Sequence, residues 1–141
     1  MEFTIHPELP AVDVRRARVW YKEKLGLDPV TVGGKPFDPD SEPSTDELFY
    51  DTGMARFGVY QTPNAGRNLA TAARLVVSDF EAARSELLAN GVVFEEYEVE
   101  GNFSSDDGEP IWSDGALVSP DGERTAWFKD SEGNILALGS C

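Results

Sequence analysis

A single histidine stands in this 141-residue chain, His6, and Glu8 follows it by two positions. In an extended segment residues two apart share a face, so an imidazole and a carboxylate would stand side by side. Such a pair can move a proton near neutral pH, where imidazole titrates. The same imidazole can equally line a pocket as a hydrogen-bonding group, or be an ordinary strand histidine with a satisfied partner. Arg56 and Tyr60 fall on one face of the run 55–60, and Arg74 lies in the run 72–77. Two guanidiniums with an imidazole suit an anionic or carbonyl-bearing small molecule, unless Glu8 or acids of the loops neutralise them first. Asp38-Pro39-Asp40-Ser41-Glu42 has the look of a calcium loop, but Pro43 stands at the sixth position, where an EF-hand needs glycine. It reads as a solvated acidic loop, as does Asp106-Asp107-Gly108-Glu109. Cys141 is the sole cysteine, with no partner in the chain for a disulfide and no rigid perch for nucleophilic chemistry.

The elements that must position these residues follow from periodicity and punctuation. Phe3 to Leu9 reads as an extended segment in which Phe3 and Ile5 alternate with Thr4 and His6. Asp13 offers an N-cap oxygen, and Val14, Ala17, Tyr21 and Leu25 form one apolar stripe that Gly26 terminates. A strand over 27–32 follows, then a loop over 33–46 rich in proline and acids. The strands 48–50 and 55–60 flank the turn Asp51-Thr52-Gly53. The same order recurs: a strand over 72–77, a capping box Ser78-Asp79-Phe80-Glu81, an apolar stripe of Phe80, Ala83 and Leu87, and a stop at Asn90-Gly91. A strand over 92–99, an acidic glycine-rich stretch over 101–110, and strands 125–129 and 135–138 around Asp130-Ser131-Glu132-Gly133-Asn134 complete the second half. Two strand–helix–strand–strand–strand units sharing one core are the natural reading of this repeat.

Charge narrows the partners. Twelve basic residues against 26 acidic ones leave a net charge of −14, which argues against nucleic acid and against an anionic membrane surface. No apolar run approaches the roughly 20 residues of a membrane span. With 40% apolar and 11% aromatic residues the chain can bury a core. Its first residues have neither the basic start nor the apolar stretch of a secretory leader, so the expectation is a cytoplasmic protein.

Two segments carry a resemblance to a known family: Asp13-Val14-Arg15-Arg16-Ala17-Arg18-Val19-Trp20-Tyr21 with Leu25-Gly26-Leu27, and Phe128-Lys129-Asp130-Ser131-Glu132-Gly133-Asn134. They are similar to the "D-x-x-R-A-x-x-F-Y…L-G-F" helix and "F-x-D-P-D-G-N" hairpin of the vicinal oxygen chelate superfamily, the group of glyoxalases, bleomycin-resistance proteins and extradiol dioxygenases. Trp20 replaces the usual Phe and Ser131 the usual Pro. The resemblance implies an α+β fold of two tandem βαβββ modules, residues 1–64 and 65–141, whose sheets curl around one central cavity with the helices on the convex face. Phe3, Ile5, Ala73, Leu75, Val77, Leu136 and Leu138 would then pack under the helices. His6, Glu8, Arg56, Tyr60 and Arg74 would face the cavity, as would Ala72, Val76, Ile135 and Ala137. Phe103 and Trp112, from the segment 102–112, would close over its mouth or join the core, and Trp127 would be buried in its strand.

Metal-dependent members of the family draw one ligand from the first and fourth strands of each module. His6, seven residues before Asp13, fills one such position, but the equivalents are Ala72 (with Thr71 its neighbour) and Ala137, and the run 55–60 holds no Asp, Glu or His. One imidazole, even with Glu8, is short of the roughly three protein ligands a catalytic divalent metal needs. The expectation is therefore a metal-independent small-molecule-binding protein, without cofactor, in a sequestering or resistance role, and the resemblance implies that it is a homodimer. Two alternatives stay open: a glyoxalase- or dioxygenase-like metal enzyme with non-standard ligands, and a structural or regulatory dimer with a vestigial cavity.

Overall fold

Asp13 begins the first helix. Its own backbone is extended (φ −131°) while its carboxylate accepts the N–H groups of Arg15 and Arg16, and helix α1 then runs Val14–Leu25. Those amides have no carbonyl behind them, which is why an acceptor is needed there. Gly26 ends the helix in the left-handed region at φ 68°, a conformation glycine adopts without steric cost. The second helix, α2, spans Phe80–Ala89 and is capped by Asp79, whose carboxylate accepts the Ala82 N–H. The expected capping box over 78–81 is therefore displaced by one residue. Glu81 turns instead to the guanidiniums of Arg84 and Arg124. Neither helix is long and apolar enough to cross a membrane.

The computed structural model describes residues 1–97, 108 and 110–140. The first sheet contains β1 (Glu8–Ala11), β2 (Thr31–Val32), β3 (Lys35–Pro36), β4 (Leu48–Asp51) and β5 (Arg56–Gln61), in the order β1-β5-β4-β2-β3. The second contains β6 (Thr71–Val77), β7 (Phe94–Glu95), β8 (Ile111–Ser113), β9 (Ala116–Val118), β10 (Arg124–Lys129) and β11 (Ile135–Ser140). Its order is β6-β11-β10-β9-β8, with β7 also paired to β10. In each sheet one parallel pair, β1 with β5 and β6 with β11, joins antiparallel ladders. The architecture is α+β, built of tandem βαβββ modules, as the repeat implied.

Three local readings change. The first strand begins at Glu8 rather than Phe3, leaving Phe3 72% and Ile5 80% exposed instead of packed under the helix. Its partner β5 starts only at Arg56, and Glu8 already lies opposite Gly58, so residues ahead of His6 have no strand beside them. In the expected loop 33–46, Gly33 and Gly34 both take positive φ and turn the chain so that Lys35–Pro36 pairs with β2. A tight hairpin at Asp114-Gly115, both with positive φ, joins β8 to β9. Trp112 thus belongs to a strand rather than a closing loop.

Both helices cover one side of the sheets. Val14, Ala17 and Tyr21 of α1, and Phe80 and Leu87 of α2, pack in one cluster with Leu9, Ala11, Leu48, Tyr50 and Val59 from the first sheet and Ala126, Phe128, Leu136 and Leu138 from the second. A polar clamp ties the halves: Tyr21 donates its hydroxyl to Asp130, Arg16 donates to Glu132, the Asp13 N–H donates to Glu132, and Asn134 donates to the Pro10 carbonyl. Burial pushes the Glu132 carboxyl up, but the Arg16 guanidinium, the Asp13 N–H and the Ser131 hydroxyl outweigh it and hold it below the ordinary range. A depressed carboxyl contributes stability above its unfolded pKa and loses it as pH falls through the folded value. Asp130 titrates in the opposite sense, burial lifting its carboxyl despite the donors around it. Glu132→Gln should therefore flatten the acid side of the stability–pH curve below about pH 4.5, the ordinary Glu range. Denaturant unfolding from pH 3 to 7 checks this, and an acid limb as steep as the native one would contradict it.

Candidate functional site

The side of each sheet away from the helices is open. On the first, alternation along β5 sends Phe57 and Val59 to the core and leaves Arg56, Gly58 and Tyr60 facing out, with Tyr60 40% exposed. The His6 ring lies 5.5 Å from the Phe49 ring, just ahead of β1. Glu8 meets Glu47: the space that a side chain on Gly58 would need is filled by their two carboxyl groups. Burial, then the charge of Glu47 and a hydrogen bond with it, raise the Glu8 carboxyl, against the pull of His6. Arg56 is already committed, its Nε 3.0 Å from Asp51 in the adjoining hairpin. The Gly53 N–H, then Arg56, hold Asp51 below the usual carboxylate range against its own desolvation.

The second sheet presents a different surface. Arg74 pairs with Glu123 and covers Gly139, the space of whose absent side chain its guanidinium occupies. Both arginines expected to recognise an anion are thus neutralised by neighbouring acids, Asp51 and Glu123. Along β10, Ala126 and Phe128 point into the core, so Thr125, Trp127 and Lys129 face the open side. The Trp127 indole donates its N–H to the Thr71 hydroxyl at 3.1 Å. The Trp112 and Tyr97 rings meet it edge-on, with centroids at 5.9 and 6.0 Å. Trp112 donates its own N–H to the Tyr97 carbonyl. The Tyr97 hydroxyl donates to Glu95, which also takes Lys129 at 3.5 Å; burial, then Glu95, push the phenol up to about 12.

Of the residues expected from sequence, His6, Glu8, Arg56 and Tyr60 share the face of the first sheet, whereas Arg74 and Trp112 share that of the second. Phe103 lies outside the described residues. Trp127, expected to be buried in its strand, is instead partly exposed on the open side, and it was not anticipated as a site residue, nor were Tyr97, Thr71 and Glu47. For Trp127 the signal was present, since a residue between two core-facing neighbours in a strand must point the other way.

The positions that the resemblance assigns to a metal do not form a donor set. Ala72 does not face the open side: the register shifts there, Thr71 pairing with Ile135 and Ala73 with Leu136, and Ala72 packs against the core. The Thr71 hydroxyl is taken by Trp127, Ala137 is 2% exposed, and β5 contributes no Asp, Glu or His. Among the described residues no three His, Cys, Asp or Glu side chains gather as a metal would require. These residues do not fit a divalent cation.

No protein-family model matches the sequence, and no curated protein matches it. Solved structures match its fold over nearly the full length. A glyoxalase / bleomycin resistance protein from Catenulispora acidiphila DSM 44928 aligns with TM-score 0.61 and 19% identity, covering 99% of each chain. TnmS3, an antibiotic binding protein from Streptomyces sp. CB03234, aligns with TM-score 0.61 and 17% identity, covering 99% of this chain and 98% of that one. Lactoylglutathione lyase from Agrobacterium tumefaciens aligns with TM-score 0.62 and 14% identity, covering 99% and 94%.

Proposed function

Starting from a chain that has the fold of the vicinal oxygen chelate superfamily, we propose that it binds a small organic molecule without a metal, in a sequestering or resistance role. The observation that carries this reading is the donor set: an alanine on the core, a threonine hydroxyl engaged by an indole, and a buried alanine stand where cation ligands would be needed. The fold is shared with an antibiotic binding protein, TnmS3, which supports binding without settling the ligand. The active form in this proposal is a cytoplasmic homodimer. The open face of the module 1–64 is set against that of the module 65–141, enclosing a cavity lined by His6, Glu8, Arg56, Tyr60, Arg74, Trp112 and, from outside the described residues, Phe103.

Saturation with its ligand at about 100 times Kd should stabilise the protein by about 2.7 kcal/mol, read as a rise in melting temperature. A metabolite and antibiotic panel that produces no rise would refute binding and favour a structural dimer. The competing metal-enzyme reading would have to draw on His6, Glu8 and Glu47, which share one face but do not gather as a metal would require. Stoichiometric zinc, nickel, manganese or iron in the purified protein would establish that reading in place of ours.

A further inference from the structure

We infer that the second-module half of the position assigned to a metal is closed by the chain itself, through two side-chain straps that cross β11 from β6 to the β10 side. The strand order places β11 between β6 and β10, so about 10 Å separates its two neighbours. Each strap spans that width. Thr71 on β6 accepts the Trp127 indole N–H from β10 at 3.1 Å, and Arg74 on β6 pairs with Glu123, the residue just before β10. Side chains of β6 and β10 on one face can meet only across the strand between them.

β11 is built to pass under both straps. Leu136 and Leu138 pack in the core, so Ile135, Ala137 and Gly139 point to the open side. Yet Ile135 is 6% and Ala137 2% exposed, and Gly139 is buried. Ala137 is the register partner of both Trp127 and Arg74. The Arg74 guanidinium fills the space of a side chain on Gly139. A methyl and a hydrogen thus stand where the straps cross, and a carboxylate at 137 would meet the indole. Trp112 and Tyr97 hold that indole edge-on, at interplanar angles of 63° and 83°. Filling therefore adds to the lack of donors. Supplying an acid at 137 would not by itself admit a cation, and a ligand on this face meets the straps rather than the strand. This closure stands apart from the small-molecule reading, which survives its failure.

Thiol protection reads the closure. In a Cys141→Ser chain, Ala137→Cys should react with iodoacetamide at least about tenfold more slowly than the same chain carrying Trp127→Ala, because a covered group is reached only through local opening. Thr71→Val removes the hydrogen-bond acceptor and keeps the shape of the side chain. It should speed alkylation about threefold or more, while Thr71→Ser keeps the protection. These two variants carry the test if Trp127→Ala fails to fold. The second strap is read in stability: Gly139→Val should lower the denaturant midpoint of the native chain, and lower it markedly less in an Arg74→Ala background. Melting temperatures measured alongside exclude global unfolding as the route of alkylation. Equal alkylation rates with and without the Trp127–Thr71 tie overturn the inference, as do equal midpoint shifts with and without Arg74. So does alkylation of the strapped chain as fast as that of a free thiol.

Discussion

Asp130→Ala should cost on the order of 4 kcal/mol and lower the unfolding midpoint sharply. The Asp130 carboxylate accepts the Tyr21 hydroxyl at 3.0 Å, the Asn134 amide at 2.8 Å, and the backbone N–H groups of Glu132 and Asn134 at 2.9 Å each. Glu132 and Asn134 are themselves buried, so water cannot replace the lost acceptor. A buried donor left without a partner costs about 1–3 kcal/mol, and four are orphaned together. Against a typical total stability of about 5–15 kcal/mol this is a large fraction. Tyr21→Phe removes one donor and leaves the other three served, so its cost should be about 1 kcal/mol. Denaturant midpoints measured side by side check both. A loss below about 1 kcal/mol for Asp130→Ala would mean that the turn holds its shape without this hub.

Phe128→Ala and Trp127→Ala, one residue apart, should differ widely in their cost to stability. Phe128 is 0% exposed and its ring meets Trp20 at 6.3 Å and Phe94 at 5.6 Å. Truncating a fully buried phenylalanine removes its transfer free energy and leaves a cavity, a loss of about 3–5 kcal/mol. The hole would open where α1 meets the second sheet, so the coupling between modules should suffer with it. Trp127 faces the other way and packs on strand and ring surface rather than in the cluster between helices and sheets. Its removal should shift the unfolding midpoint far less than that of Phe128. If thermal denaturation ranked the two in the reverse order, the assignment of sheet faces along β10 would be wrong.

Much of the fold was legible because its signals are local. An acceptor at Asp13, a stripe at Val14, Ala17 and Tyr21, and a left-handed Gly26 specify one helix within fourteen residues, each through its own nearest neighbours. The same grammar at Asp79 found the second helix, although it mistook the cap by one residue: Ser78 and Asp79 are both competent caps, and Glu81 was drawn away by Arg124. Hairpins at Gly53 and Gly133 were legible for the same reason. The site was less so. Alternation along β5 located Arg56 and Tyr60 correctly on the open face, but nothing local says that Asp51 and Glu123 neutralise Arg56 and Arg74. Glu47 could not be associated with Glu8, since they meet over Gly58 only once β1 and β5 are aligned.

Sequence by itself thus determined the two repeated modules, their helices, their principal turns and the lack of metal-binding side chains at the family positions, because each depends on residue type and on contacts a few residues apart. Tertiary structure decided where β1 starts, that Ala72 is passed over so that Thr71 faces the open side, and that Trp127 reaches across β11 to it. Those outcomes depend on register between strands fifty or more residues apart, where a shift of one residue reverses every face. No pattern along a single strand encodes that alignment.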